Sequence, residues 1–147
     1  MAIKPFIPVV RELVRCYQAF ETYSAANIRE LGLTPSQFDI IATLGNTPGM
    51  TSKMLGEKTL ITKGTLTGVV DRLTAKDLVR RCQCEHDGRS QIVKLTKKGE
   101  AVFDKVYPAH ISYLSKLFVD FKTEDFARVQ AVLQELRMVL DDSVKPL

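Results

Sequence analysis

The chain has 147 residues, 45% apolar and 26% charged, which suits a soluble folded domain and excludes a disordered, collagen-like or disulfide-stapled chain. Its net charge of +4 is unevenly placed: residues 50–99 hold 11 Lys and Arg against 5 acids, a balance of +6, while the rest is slightly acidic. Such a concentration suits a polyanion-binding surface.

No apolar run nears the roughly 20 residues needed to span a bilayer. The opening MAIKPFIPVVRE is charged too soon for a secretory signal. Three cysteines without a framework spacing point to a reducing compartment. A cytoplasmic protein without membrane contact is therefore expected.

From about Pro8 to Leu31, apolar residues recur at helical spacing (Val10, Leu13, Val14, Tyr17, Phe20, Ile28), and Gly32 can end the helix in a left-handed conformation. Thr34-Pro35-Ser36-Gln37 carries a capping-box signature for a short helix through Phe38, Ile40, Ile41 and Leu44. Gly45-Asn46-Thr47-Pro48-Gly49 breaks it.

Two more short helices follow. Thr51 or Ser52 caps the first, which should bury Met54 and Leu55. Thr62 caps the second, whose Leu66, Val69, Val70 and Leu73 form one buried stripe. Its remaining face carries Lys63, Gly64, Thr67, Gly68, Asp71 and Arg72.

After Asp77 the period becomes extended. Leu78–Cys84 and Gln91–Leu95 read as two strands, joined by a hairpin tip over 85–90. Arg80 and Arg81 alternate along the first strand, so at most one of them faces any given partner. A long helical region starts at Thr96, with a kink or break expected at Pro108. Thr123-Glu124-Asp125 caps a last helix with Phe126, Val129, Leu133, Leu136 and Leu140 as its stripe.

Short helix, turn, short helix and hairpin make a winged helix-turn-helix between long helices. The expected class is mainly α with a two-stranded β wing. Its second short helix suits a major groove about 12 Å wide. With two His, no Ser-His-Asp set, no Gly-rich phosphate loop and no recognisable carboxylate pair, no catalytic site is indicated, and no cofactor is implied.

The stretch Leu60–Leu73 (LITKGTLTGVVDRL), with Leu78-Val79-Arg80-Arg81, Asp87-Gly88-Arg89-Ser90 and Val93–Gly99 (VKLTKKG), closely resembles the multiple-antibiotic-resistance regulator (MarR) family of bacterial transcription factors. The resemblance is strongest over about 51–100, and the flanking helices agree in length and order. It implies a homodimer, built through helices in 1–33 and 100–147, that holds two winged modules (34–99) on a pseudo-palindromic operator in double-stranded DNA. It also implies a repressor-type regulator.

Carried over, the family's pattern puts Lys63, Thr65, Thr67 and Arg72 on the recognition helix, and Asp87 and Arg89 at the wing tip. There the arginine enters the minor groove, whose negative potential favours it. Asp77 replaces a usual Gly, and Asp tolerates left-handed dihedrals well enough for slight strain with an intact fold. Gly68 replaces larger polar residues and weakens base readout there. The alternative is a winged-helix interaction module without DNA binding, which a flat salt dependence would reveal.

Many family members release DNA when small aromatic anions or hydrophobic compounds bind between the helical and winged parts. Tyr17, Tyr23, His110 and Tyr113 could line such a pocket or serve as helix-interface residues. In Cys82-Gln83-Cys84-Glu85-His86, an extended strand would put Cys82, Cys84 and His86 on one face, a donor set that suits zinc or copper. A fourth ligand is not evident, so no metal is assigned. Cys82 and Cys84 are redox candidates beside two arginines. Cys16 shares a helix with the sensing cysteine of the family's peroxide-responsive branch. Its place in the Leu13–Phe20 stripe favours a packed core or interface thiol.

Overall fold

A computed structural model of the protein describes residues 2–83 and 90–144. In chain order it runs α1 (Phe6–Glu30), α2 (Pro35–Leu44), β1 (Met50–Thr51), α3 (Ser52–Thr59), α4 (Lys63–Ala75), β2 (Val79–Gln83), β3 (Gln91–Leu95), α5 (Lys97–Ser115), a 3-10 turn (Lys116–Phe118) and α6 (Thr123–Val144). No helix among the described residues is long and apolar enough to cross a membrane. The chain divides into two units, Met1–Tyr113 and Leu114–Leu147.

In the first unit, helix boundaries follow their local chemistry. Gly32, at φ 87°, follows the end of α1. The Thr34 hydroxyl accepts from the Gln37 N–H at 3.2 Å, and the Gln37 side chain accepts from the Thr34 N–H at 3.1 Å, completing the capping box. Thr51 rather than Ser52 caps α3, accepting from the Met54 N–H at 3.2 Å.

The core gathers Ile40, Ile41 and Leu44 from α2, Leu55 from α3, the Leu66–Leu73 stripe of α4, Val79 and Val93 from the strands, and Phe103 and Val106 from α5. Met54 departs from expectation: it is 45% exposed, because only one face of the two-turn α3 meets the core and Leu55 holds it.

The wing hairpin pairs as expected, with Arg80 opposite Lys94 and Cys82 opposite Ile92. A third strand adds to it: β1 pairs with β3, giving the antiparallel order β1-β3-β2. Gly49 permits this approach. It sits at φ 101°, and a Cβ there would lie 2.6 Å from Ile92 and 2.8 Å from the Val93 carbonyl. Two residues show no alternation, which is why β1 escapes a sequence reading.

No break occurs at Pro108; α5 is continuous from Lys97 to Ser115. Pro108 and Asp104, whose carbonyl loses its i+4 donor, both lie on the exposed side, where water can satisfy that oxygen.

In the second unit, Phe118, Phe121 and Phe126 pack with ring centroids 5.2–5.7 Å apart. Asp125 reaches back to accept from the Lys122 N–H at 2.9 Å, so the cap of α6 starts one residue before Thr123. In the chain taken alone the α6 stripe is largely open: Phe126, Val129, Leu133 and Leu140 are exposed and Leu136 is half-buried.

Candidate nucleic-acid interface

The α3–α4 turn places one helix face in solvent. The C-cap of α3 is Leu60, held left-handed at φ 59° and ψ 16°. Thr62 follows as N-cap of α4, but its hydroxyl donates to the Thr65 hydroxyl at 3.1 Å rather than bonding the backbone. With Leu66, Val69, Val70 and Leu73 turned inward, α4 presents Lys63, Gly64, Thr65, Thr67, Asp71 and Arg72 to solvent. Four of the residues picked from the sequence, Lys63, Thr65, Thr67 and Arg72, thus share one open helix surface.

Two contacts shape that surface. Arg81 of β2 donates to Asp71 at 2.8 Å, tying the wing to α4. Asp71 is therefore engaged by the wing and not by its neighbour Arg72. Arg72 enters no ion pair among the described residues. Its guanidinium folds back over Gly68, with Nη1 3.8 Å from the position a Cβ would take there.

The strand alternation separates the two arginines as expected. Arg81 is tied to α4, while Arg80 and Lys94 share the other face of the hairpin. There they line a basic hollow of about 450 Å³ with Thr47, Lys97 and Glu100. Cys82 lies on the Arg80 face, half-buried. Asp87, Arg89, Cys84 and His86 lie outside the described residues. Among the described residues no group of three His, Cys, Asp or Glu side chains could hold a metal ion. Cys16 is exposed on α1 and is not a core thiol of this chain, because the Leu13–Phe20 stripe itself faces outward there.

A second feature lies where α1, α2 and α5 meet. His110 is 3% exposed, with Nδ1 2.9 Å from the Asn27 Oδ1 and Nε2 3.1 Å from the Ser24 hydroxyl. Phe38 packs against its edge at 4.7 Å. Burial lowers its pKa below the usual histidine value, so the neutral ring is favoured. Tyr23 stacks on Tyr113 at 4.4 Å and donates to its carbonyl at 3.2 Å. These three residues, expected to line a pocket or an interface, form a packed helix junction.

Tyr17 stands apart from that junction. It lines a cleft of about 500 Å³ between α1 and α2 with Phe20, Glu21, Ser24, Ile28, Arg29 and Asp39. The Asp39 carboxyl is raised above its usual pKa, chiefly by partial desolvation and then by the Glu21 carboxylate. A hydrogen bond with Glu21 raises the Tyr17 hydroxyl. The sequence offers only faint signals for these acids: Glu21 falls four residues after Tyr17, about one helical turn on, and Asp39 lies between Phe38 and Ile40.

A model of the MarR family matches residues 31–90. The HTH-type transcriptional regulator MhqR of Bacillus subtilis (strain 168) is 30% identical over 124 residues, covering 80% of this chain and 86% of that one. AbsC of Streptomyces coelicolor, a MarR family transcriptional regulator, superposes with a TM-score of 0.83 at 23% identity, over 97% of this chain and 99% of its own. BpsR of Bordetella bronchiseptica, whose DNA binding is regulated by 6-hydroxynicotinic acid, superposes at 0.80 with 22% identity, over 93% of this chain and 98% of its own. These relatives and neighbours are regulators and not enzymes. With the winged fold, the α4 surface and this similarity in hand, the chain belongs to the MarR family of helix-turn-helix transcriptional regulators.

Proposed function

We propose that the protein is a cytoplasmic repressor that binds a pseudo-palindromic DNA operator as a homodimer. The observation that carries this reading is the polar face of α4, where Lys63, Thr65, Thr67 and Arg72 stand clear of the core behind a fully buried apolar stripe. In the major groove, Thr65 and Thr67 contact base edges while Lys63 and Arg72 contact phosphates or bases. Asp87 and Arg89 act at the wing tip, with Arg89 in the minor groove. The module is residues 34–99, and helices in 1–33 and 100–147 join the two copies.

Dimer formation is supported separately by α1 and α6. Phe6, Val9, Val10 and Val14 are exposed on one, and Val132, Leu133, Met138 and Val139 on the other, a large apolar exposure for a protein that stays monomeric. Release from DNA follows binding of a small ligand in the α1–α2 cleft, or oxidation at Cys82, Cys84 or Cys16.

The test is a mobility shift of the full-length protein on the DNA upstream of its own gene, across a salt series, reduced and oxidised. A DNA-binding dimer loses affinity steeply as salt rises, because each phosphate contact releases counterions. Arg72→Ala and Arg89→Ala weaken binding and leave the dimer intact. Absent binding, or binding indifferent to salt and to both substitutions, would favour a protein-interaction module.

A further inference from the structure

We propose that the α1–α2 cleft takes an aromatic amine, its cationic head held by the Glu21 and Asp39 carboxylates and its ring laid against Tyr17 and Phe20. This rests on the effector reading of the cleft given above and specifies the chemistry of the effector.

The cleft encloses about 500 Å³, within the range of small-molecule sites. Its lining includes two aromatic rings, Tyr17 and Phe20, that keep about half of their surface open in this chain, so a flat apolar ligand would cover them. The two carboxylates line the same cleft, close enough for Glu21 to perturb Asp39. Among the described residues neither of them enters an ion pair. Arg29 also lines the cleft, and it forms an ion pair with neither carboxylate.

Two neighbouring carboxylates that no ion pair neutralises repel a third and attract a cation. A cation among them also gains from the faces of Tyr17 and Phe20. An aromatic acid of the kind that regulates BpsR would meet repulsion from these carboxylates. The floor residue Ser24 is hydrogen-bonded to His110 of α5, so a ligand seated here touches the helix junction as well.

The experiment titrates the full-length protein, without DNA, with three probes of nearly equal size: phenethylamine, phenethyl alcohol and hydrocinnamate. Calorimetry gives the affinities, and the tyrosine and phenylalanine resonances give the location. Phenethylamine should bind at least about tenfold more tightly than hydrocinnamate, perturbing Tyr17 and Phe20. Glu21→Gln and Asp39→Asn, which keep shape and hydrogen-bonding capacity, should each weaken the amine about threefold and leave the alcohol unchanged. The double substitution should level the three probes.

An acid that binds as well as the amine, an amine indifferent to both substitutions, or no probe perturbing these rings would each overturn the proposal. Operator binding is scored in a separate assay. Its failure with amine binding intact would remove the repressor reading and leave the cleft assignment standing.

Discussion

Replacing Leu60 with Gly should raise the unfolding midpoint, although it deletes a large apolar side chain. Leu60 occupies the left-handed region at φ 59° and ψ 16°, where a Cβ crowds the following carbonyl and costs roughly 1–2 kcal/mol. The side chain is 87% exposed, so deleting it forfeits only about 0.3 kcal/mol of burial. Glycine also loosens the unfolded chain, at a cost of about 0.4–1 kcal/mol. The net gain is about 0.5 kcal/mol, or roughly 1–2 °C for a chain of this size.

Leu60→Ala is the control, since it removes the same side chain and keeps the strain; it should bring no gain. Both variants are compared with the parent by thermal unfolding at one protein concentration, because the midpoint of the proposed dimer would depend on it. A glycine variant that melts below the parent, or level with the alanine variant, would refute the strain account. Asn46 and Asp77, at φ 59° and 60°, are residue types that tolerate this region, so glycine at either should gain less than at Leu60.

The remaining predictions concern packing, protonation and the wing. A Cβ on Gly45 would drive into the Phe103 ring, so Gly45→Ala should destabilise by about 1–3 kcal/mol in denaturant unfolding, although its backbone angles suit alanine. Because the folded state lowers the pKa of His110 below 6.5, the unfolded chain takes up the proton more readily. Stability is then full above that value and is lost as pH falls through it, and His110→Gln should flatten this acid limb in unfolding curves taken from roughly pH 5 to 7.5. Asp71→Ala and Arg81→Ala should each cost less than about 1 kcal/mol, since both partners are partly exposed, and their coupling in a double-mutant cycle should shrink at high salt.

What the sequence made legible was local. The Thr34–Gln37 box, the Gly32 stop, the Leu66–Leu73 stripe and the two wing strands each depend on residues within a turn or two, and each stands where its pattern puts it. The misses share a different cause. Met54 and Leu55 are equally apolar, and only the direction from which α2 and α4 approach α3 decides which is buried. β1 exists because β3, some 40 residues later, offers it an edge. Leu60 carries an αL conformation that its side chain opposes and that only the turn between two packed helices enforces. The cleft acids carry only a faint signal until α2 is laid beside α1.

Apolar periodicity behaves in a third way in α1 and α6. Val10, Val14, Val129, Leu133 and Leu140 recur as regularly as the stripe of α4, yet in the single chain they are open to water. A helical stripe reports the burial of the functional assembly, in which a second copy would complete what one chain leaves exposed. The two kinds of stripe therefore divide the labour. The stripe of α4 is satisfied within the chain and leaves a rigid polar face free for a ligand as large as DNA. The Phe6–Val14 part of the α1 stripe and the stripe of α6 are unsatisfied within it, so in the proposed dimer they fix the spacing of two such faces. On the proposed reading, an exposed stripe that a second copy covers would then also select operators by half-site separation. Polar substitutions at Val10 or Leu133 should for that reason abolish operator binding through loss of the dimer, with the winged module itself still folded.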